Sequence, residues 1–413
     1  MTRSALILGN ALLFRAIGYV FPLLSIPLYS HWLGSKAYGQ LGLVLTFCTL
    51  LQAVCEYGHT VGGGGRLARA PSHEAARLVS ASIYSQKLVL LGVSFLAGSI
   101  YFFCLKAGVG IMAAFFAAFF MIVAPDALTP IWVYHGTSAV PRYAKLQFLS
   151  RLVTLVPGLL LLWVVPVPAV GAVATGLPFA ALLFSAVRGV RPLLALPFGT
   201  GATLAGTLRA LVTELPFSIG ALAATSLAPL AMQIAHFFDR DGDLGAVYLA
   251  IALWIALRQL YMLPHQANYG RAAQAGSSGP GAGPERMAFA VATTTATVMV
   301  LIASVIPGAV YALVFGPKYA SVATLLPRML LSGIPFSIAY GIVLNRIAAR
   351  GMAFEFSSSY VVAAVAFVAV FIPGRYVWPV DISLPVAMVA ADCSFLLCSW
   401  FFLSRRTAPL CAP

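Results

Sequence analysis

The chain has 413 residues, of which 61% are hydrophobic and 9% charged, and its mean hydropathy is +0.94. Soluble domains have about 45–50% apolar and about 25% charged residues, so this chain cannot cover an aqueous surface with polar groups. The composition excludes a soluble enzyme, a secreted module and a disordered protein, and it predicts a polytopic membrane protein. The net charge of +14 comes from 25 Lys and Arg against 11 Asp and Glu. In a membrane protein this excess indicates anionic lipid headgroups, orientation signals or an anionic substrate rather than nucleic acid.

Twelve apolar stretches follow one another along the chain, each close to the ~20 residues that a membrane-spanning helix needs. The loops between them are too short to hold a soluble domain. The sequence therefore predicts an all-α fold with about 12 transmembrane helices. The stretches are residues 5–28, 38–58, 82–105, 109–131, 147–166, 169–187, 212–237, 245–267, 287–313, 319–344, 357–374 and 382–403.

A short repeated pattern predicts two halves. A Leu-Gly pair precedes Tyr38 at the start of the second stretch, and another precedes Tyr248 at the start of the eighth. An offset of six helices indicates two six-helix bundles in parallel orientation. The predicted parts are an N-terminal lobe at 1–188, a cytoplasmic connector at 189–211, a C-terminal lobe at 212–404 and a cytoplasmic tail at 405–413.

The basic residues predict the orientation of the chain. With a cytoplasmic N-terminus, sixteen Lys and Arg fall on the cytoplasmic side and five on the opposite side, which follows the positive-inside rule. Both termini are therefore predicted to be cytoplasmic. Aromatic residues and histidines near the ends of the stretches are predicted to lie at the membrane interface. These are Tyr29, Trp32, Trp132, Tyr134, His135, His236, His265 and Trp378.

Four basic residues remain inside the predicted spans, where a charge costs several kcal/mol. Arg15 lies about ten residues into the first span, hence ~15 Å deep, and Arg258 lies near the middle of the eighth. Guanidinium groups stay charged and bind phosphate or carboxylate bidentately, so these two predict a water-filled cavity that holds an anion. Lys87 is near the cytoplasmic end of its stretch, which leaves snorkelling to the surface as an alternative. Arg328 either lines the same cavity or lies nearer the outer surface.

Four acidic residues also fall within the spans: Glu56, Asp126, Glu214 and Asp392. The last three are candidates for coupling to a proton or sodium ion, because a carboxylate in a partly dry cavity can bind a proton. The alternative is ion pairing within each lobe, of Arg15 with one of the first two acids and of Arg258 with one of the last two.

No motif for ATP hydrolysis or hydrolytic catalysis is present. The run Gly62-Gly-Gly-Gly-Arg66 is not a phosphate loop, since no GxxxxGK[ST] sequence contains it, and HExxH and nucleophile-elbow sequences are absent too. The sequence predicts a protein that is not an enzyme and that needs no cofactor.

Four motifs occur in order along the chain. They are Asn10, Arg15, Pro27, Leu33-Gly34 and Tyr38-Gly39; Gly58, Arg66 and Ala68-Arg69; Pro130-Ile-Trp132-Val-Tyr-His-Gly136 with Arg151; and Phe315-Gly-Pro-Lys-Tyr319. With these motifs and twelve spans the chain resembles the polysaccharide flippases, the O-antigen translocases called Wzx, whose superfamily also holds lipid II flippases and MATE exporters. It departs from the family pattern at His135, where glutamine is expected, and in the scarcity of acids in its C-terminal half.

The resemblance implies two six-helix bundles around a central cavity, in the inner membrane of a bacterium. It implies that an oligosaccharide linked to undecaprenyl pyrophosphate moves from the cytoplasmic to the periplasmic leaflet for surface polysaccharide biosynthesis. Arg15, Arg258, Lys87 and Arg328 would bind this substrate, and anionic lipids and a polysaccharide polymerase would be partners. Two alternatives stay open: a MATE-like exporter of drugs or small molecules, and a membrane glycan polymerase or ligase, which the short periplasmic loops disfavour.

Overall fold

The computed structural model describes residues 3–68, 70–137, 139–194, 204–238, 244–275, 282–347 and 352–407, with side chains from Ser25 onward except at scattered positions. The regular secondary structure in these ranges is entirely helical. Its α-helices are α1 Arg3–Glu56, α2 His59–Ala68, α3 His73–Cys104, α4 Val109–Ala118, α5 Ala124–Leu128, α6 Ile131–Gly136, α7 Val140–Val164, α8 Pro168–Val190, α9 Leu204–Phe238, α10 Leu244–Ala275, α11 Ala282–Val305, α12 Gly308–Phe315, α13 Val322–Leu330, α14 Gly333–Ile342, α15 Ala353–Val377 and α16 Val380–Thr407.

The predicted all-α, polytopic membrane fold is confirmed. Eleven helical segments of the described residues are long and apolar enough to cross a membrane, and the first of them, Ser25–Glu56, leaves out the N-terminal part of α1. The chain divides into two compact units, Met1–Ser218 and Ile219–Pro413. Five of these segments lie in unit 1 and six in unit 2. The limits of the predicted connector and tail stay predictions.

Gly34 divides α1 into the first two predicted spans. Its backbone has φ 71° and ψ 165° within an otherwise helical run, a conformation that is essentially restricted to glycine. A Cβ at this position would contact nothing within 4 Å. The requirement for glycine therefore comes from the backbone and not from packing. The predicted turn into the second span is a sharp kink at Gly34 between two helical halves of α1.

One membrane segment of each unit contains a π-helical turn. The turns are Phe119–Val123, between α4 and α5, and Val343–Ile347, after α14. Such turns interrupt the regular hydrogen-bond ladder and are frequent at functional sites. The two segments are six apart in chain order, but the turn lies in the middle of Val109–Tyr134 and at the end of Pro317–Ile347. The apolar stretches predicted at 109–131 and 319–344 did not reveal these interruptions, because hydropathy does not report hydrogen-bond register.

Several predicted stretches have other limits than the helices, and two of them show why. The stretch at 82–105 belongs to a helix that starts nine residues earlier, at His73, where the Ser72 hydroxyl accepts a hydrogen bond from the backbone N–H of Ala75 at 3.1 Å. This first turn is polar and so fell outside the apolar window. The stretch at 287–313 is two helices, since α11 ends at Val305 and α12 starts after Pro307.

Apolar side chains cover the outside of the helices as well as the interior. On α3, Leu90 and Phe102 are buried, whereas Val93, Leu96 and Phe103 are 56%, 61% and 78% exposed. A helix that is apolar on both faces is expected where one face packs on protein and the other on lipid. This pattern agrees with a membrane-embedded chain.

Three of the residues predicted at the interface are instead buried. Trp132 and Tyr134 are completely buried, and the Tyr134 hydroxyl donates to the carbonyl of Ala186 at 2.9 Å. His265 is also fully buried, with its ring 5.0 Å from that of Phe289. The polar atom of an aromatic ring can find a hydrogen-bond partner inside the protein as well as among the lipid headgroups. Position along the chain therefore did not distinguish a buried aromatic residue from an interfacial one. The side chain of His135 lies outside the described residues.

Close packing at Gly176 of α8 predicts sensitivity to a single methyl group. A Cβ there would lie 2.4 Å from Cβ and 2.7 Å from the backbone oxygen of Met121, in the first π-helical turn. We expect Gly176→Ala to destabilise the protein by about 1–3 kcal/mol because the π-turn backbone must move, measured as a lowered Tm in detergent. Gly92→Ala on α3, where nothing lies within 4 Å, is the matched control and should not lower Tm. Equal Tm values for the two variants would contradict this packing.

Candidate functional site

Unit 1, Met1–Ser218, contains a buried ion pair. The ammonium of Lys87 lies 2.9 Å from Oε2 of Glu56, and the Lys87 side chain is fully buried. The same ammonium lies 4.7 Å from the ring centre of Trp132, a favourable cation–π geometry. Lys87 was predicted near the membrane surface with snorkelling as an alternative, and snorkelling is wrong. Because α3 starts at His73, Lys87 is about 21 Å along this helix.

The local backbone explains why Glu56 needs this partner. Glu56 is the last residue of α1, which ends because Tyr57 and Gly58 have positive φ angles of 47° and 75°. An acid at a helix C-terminus is unfavourable, by roughly 0.3–1 kcal/mol, because the unpaired carbonyls carry partial negative charge. The ammonium of Lys87 offsets that repulsion and the burial of the carboxylate together.

Asp126 adds a second carboxylate to the same region. It lies in the first turn of α5, directly after the π-helical turn, and its Oδ2 accepts a hydrogen bond from Nε2 of Gln52 at 3.0 Å. Lys87 and Glu56 are within electrostatic range of it. The described part of this cluster has two carboxyl groups, one ammonium and a neutral amide. We call Gln52, Glu56, Lys87 and Asp126 the acidic cluster of unit 1.

Unit 2, Ile219–Pro413, contains the second buried pair. Nη2 of Arg258, on α10, donates to Oδ1 of Asp392, on α16, at 3.1 Å. The guanidinium carbon lies 4.5 Å from the ring centre of Trp254 and 3.3 Å from that of Phe336. Asp392 is 1% exposed and Arg258 is 11% exposed. Ser332, which accepts a hydrogen bond from Trp254 Nε1 at 3.4 Å, is next to the carboxylate.

Of the remaining predicted site residues, Arg328 has a described side chain, and it is part of neither cluster. Arg328 pairs with Asp381 at 3.3 Å, and both side chains are nearly half exposed, as in the alternative that put Arg328 away from a cavity. Arg15 lies in α1, and its side chain is outside the described residues, as is that of Glu214 in α9. Among the predicted residues with described side chains, Arg258 forms an ion pair with Asp392. Lys87 is within electrostatic range of Asp126.

Sequence reasoning missed the neutral residues of both sites. Gln52 lies one helical turn before Glu56, and Trp254 lies one turn before Arg258, so the i,i+4 spacing was a usable signal. Phe336 and Ser332 are distant from their partners in the chain and carried no such signal.

The fold is shared with known transporters. No protein-family model matches the chain, and no curated protein sequence matches it. Among solved structures, the lipid II flippase MurJ in an inward closed conformation is similar at TM-score 0.75 and 12% identity, over 95% of this chain and 87% of that one. An inward-facing multidrug-resistance MATE family transporter of the MOP superfamily gives 0.61 and 14%, over 95% and 99%. An aspartate-to-asparagine mutant of the Vibrio cholerae MATE transporter VcmN gives 0.63 and 14%, over 98% of both chains.

These similarities, at 12–14% identity, establish the fold alone. The chain is a multi-pass membrane protein with the two-bundle fold of MOP-superfamily transporters. The MATE and MurJ structures do not distinguish a flippase from an exporter, and that distinction depends on the chemistry of the two buried pairs.

The buried pair of unit 1 predicts a large effect of removing one partner. We expect Lys87→Met to lower the free energy of unfolding by about 2 kcal/mol, less than for a fully buried pair because Glu56 is 31% exposed. The double variant Lys87→Met/Glu56→Gln should recover part of this loss, since no uncompensated carboxylate then remains. Unfolding in detergent would measure both.

Arg328→Gln is the matched control, because its ion pair is exposed and should contribute less than about 1 kcal/mol. A double variant no more stable than Lys87→Met would argue against a stabilising pair.

Proposed function

We propose that the protein flips an undecaprenyl-pyrophosphate-linked oligosaccharide from the cytoplasmic to the periplasmic leaflet, for surface polysaccharide biosynthesis. Movement is by alternating access and does not use ATP hydrolysis. The observation that carries this proposal is Arg258, a permanent cation within the membrane-spanning segment Leu244–Met262, whose side chain is 11% exposed. Such a group suits a phosphate-bearing headgroup better than a cationic drug.

The proposed binding residues are those of the sequence analysis. Arg15 and Arg258 hold the pyrophosphate or acidic sugars, and Lys87 and Arg328 assist when they leave their acidic partners. The prenyl chain stays in lipid, where the apolar exterior of the helices is compatible with it. Similarity to the lipid II flippase MurJ supports a lipid-linked substrate.

The driving force and the setting are also proposals. Asp126, Glu214 and Asp392 are candidates for coupling to a proton or sodium ion. The protein lies in the inner membrane with both termini in the cytoplasm, where the basic excess faces anionic lipids. A polysaccharide polymerase receives the flipped glycan.

A second candidate is an exporter of small molecules. The acidic cluster of unit 1 favours it, because Glu56 and Asp126 place two carboxyl groups in one region of this unit, and carboxylates attract cations. Similarity to the multidrug-resistance MATE transporter supports this alternative as well. A membrane glycan polymerase or ligase has no comparable support.

The proposal predicts that Arg15→Ala and Arg258→Ala each reduce flipping by about tenfold or more, since each removes charge-assisted hydrogen bonds to the headgroup. In a strain that lacks the gene, lipid-linked glycan should accumulate on the cytoplasmic leaflet, and wild-type protein should restore surface polysaccharide. A membrane-impermeant reagent that oxidises sugars measures the leaflet distribution.

Arg405→Gln is the control, because Arg405 is an exposed arginine stacked 4.3 Å from the ring centre of Phe401, outside the proposed site. Wild-type surface glycan in both alanine variants would refute the site assignment. Normal glycan export in the deletion strain would favour the small-molecule exporter.

A further inference from the structure

The pair in unit 2 leaves much of the arginine unused. Within the part of the chain that the structure describes, only Nη2 of Arg258 donates to Asp392, through one oxygen at 3.1 Å. A guanidinium has five N–H donors. The rings of Trp254 and Phe336 lie 4.5 Å and 3.3 Å from its guanidinium carbon, so two cation–π contacts hold the group in addition to Asp392. The arginine is thus kept in place with donors available to a second anion.

The aspartate occupies the position of a ligand anion. Carboxylate and phosphate present oxygens to a guanidinium in the same planar geometry. Asp392 is the less accessible partner, 1% exposed against 11% for Arg258, so an incoming anion meets the cation first. Without Asp392 the empty site would hold an uncompensated charge among aromatic rings, at a cost of several kcal/mol.

We propose that Asp392 is an internal counterion that a ligand must displace from Arg258, and that it thereby sets the minimum charge of the headgroup that binds. This inference rests on the proposed function. A phosphodiester headgroup has one negative charge, as the carboxylate does. Replacing Asp392 by such a headgroup therefore does not strengthen the electrostatic interaction with Arg258. A pyrophosphate headgroup has at least two negative charges and outcompetes the carboxylate. Asp392 is therefore a specificity-determining residue that excludes the abundant phospholipid phosphodiesters by competition, a form of selectivity against unwanted partners.

The surroundings can accept the displaced carboxylate. The Tyr261 hydroxyl is buried, lacks a hydrogen-bond partner among the described residues and is within electrostatic range of both members of the pair. Ser332 is next to the carboxylate. Separated from Arg258, the carboxylate takes up one proton from the aqueous phase, because an isolated charge is unfavourable in apolar surroundings. When the ligand leaves, Asp392 loses this proton and pairs with Arg258 again. The other titratable groups near the pair are Tyr340, Tyr360 and Cys393.

Ligand selectivity tests the proposal. The full-length protein in nanodiscs of phosphatidylcholine is titrated with inorganic pyrophosphate and with dimethyl phosphate, a monoanionic phosphodiester. Wild type should bind pyrophosphate at least about tenfold more tightly than dimethyl phosphate. Asp392→Asn should bind both, with that ratio reduced by about tenfold, and Arg405→Gln should behave as wild type.

The outcomes separate this inference from the proposed function. An unchanged ratio in Asp392→Asn would overturn the role of Asp392 while leaving the binding site intact. Equal pyrophosphate binding by wild type and Arg258→Gln would refute the arginine site itself, and the inference with it.

A second measurement applies if Asp392→Asn does not fold. Infrared difference spectra of the wild-type protein should gain a protonated-carboxyl band when pyrophosphate binds. Asp392→Glu keeps the ion pair and should shift this band, which assigns it to residue 392. Pyrophosphate binding without a new carboxyl band would overturn the displacement.

Discussion

The structure depends on the neutralisation of charged side chains inside apolar helices. The hydrocarbon part of a membrane offers no water to solvate an ion, so a mid-span cation is stable only where packing brings an acid to it. Lys87 with Glu56 links α3 to the end of α1, and Arg258 with Asp392 links α10 to α16 across 134 residues of sequence. Each pair therefore restricts how the helices of its own unit can pack. Apolar contacts alone would allow more packing arrangements.

Backbone irregularities lie beside these charges. In unit 1, Glu56 is followed by two residues with positive φ, and Asp126 follows a π-helical turn. In unit 2, Ser332 lies in the short break between α13 and α14. Irregular backbone at membrane depth is tolerated where protein or a polar site surrounds it. At these interruptions, acidic and hydroxyl side chains can reach partners. In a straight, regular helix the same side chains would point in another direction.

The sequence predicted the fold well because composition and span length are sufficient for it. It also named Asp392 as one of two partners for Arg258. It placed Lys87 too close to the membrane surface, because the polar first turn of α3, which starts at His73, lies outside an apolar window. It assigned Trp132 to the interface, because position along a helix does not show which way a side chain faces. On helices such as α3, apolar on both faces, no periodicity separates the protein side from the lipid side. The contact of Phe336 with Arg258 could be found only from the three-dimensional packing.

The two units differ in the charged groups that they contain, and charge decides how the membrane potential acts on transport. Unit 1 places two carboxyl groups near the ammonium of Lys87, whereas unit 2 pairs one carboxylate with one guanidinium. Outward movement of an anionic headgroup is favoured by an inside-negative membrane potential, by about 2.3 kcal/mol per charge per 100 mV. Under the proposed function, the proton that Asp392 takes up when the ligand binds and loses when it leaves moves together with the headgroup. The membrane potential then acts on one net negative charge for a doubly charged pyrophosphate headgroup.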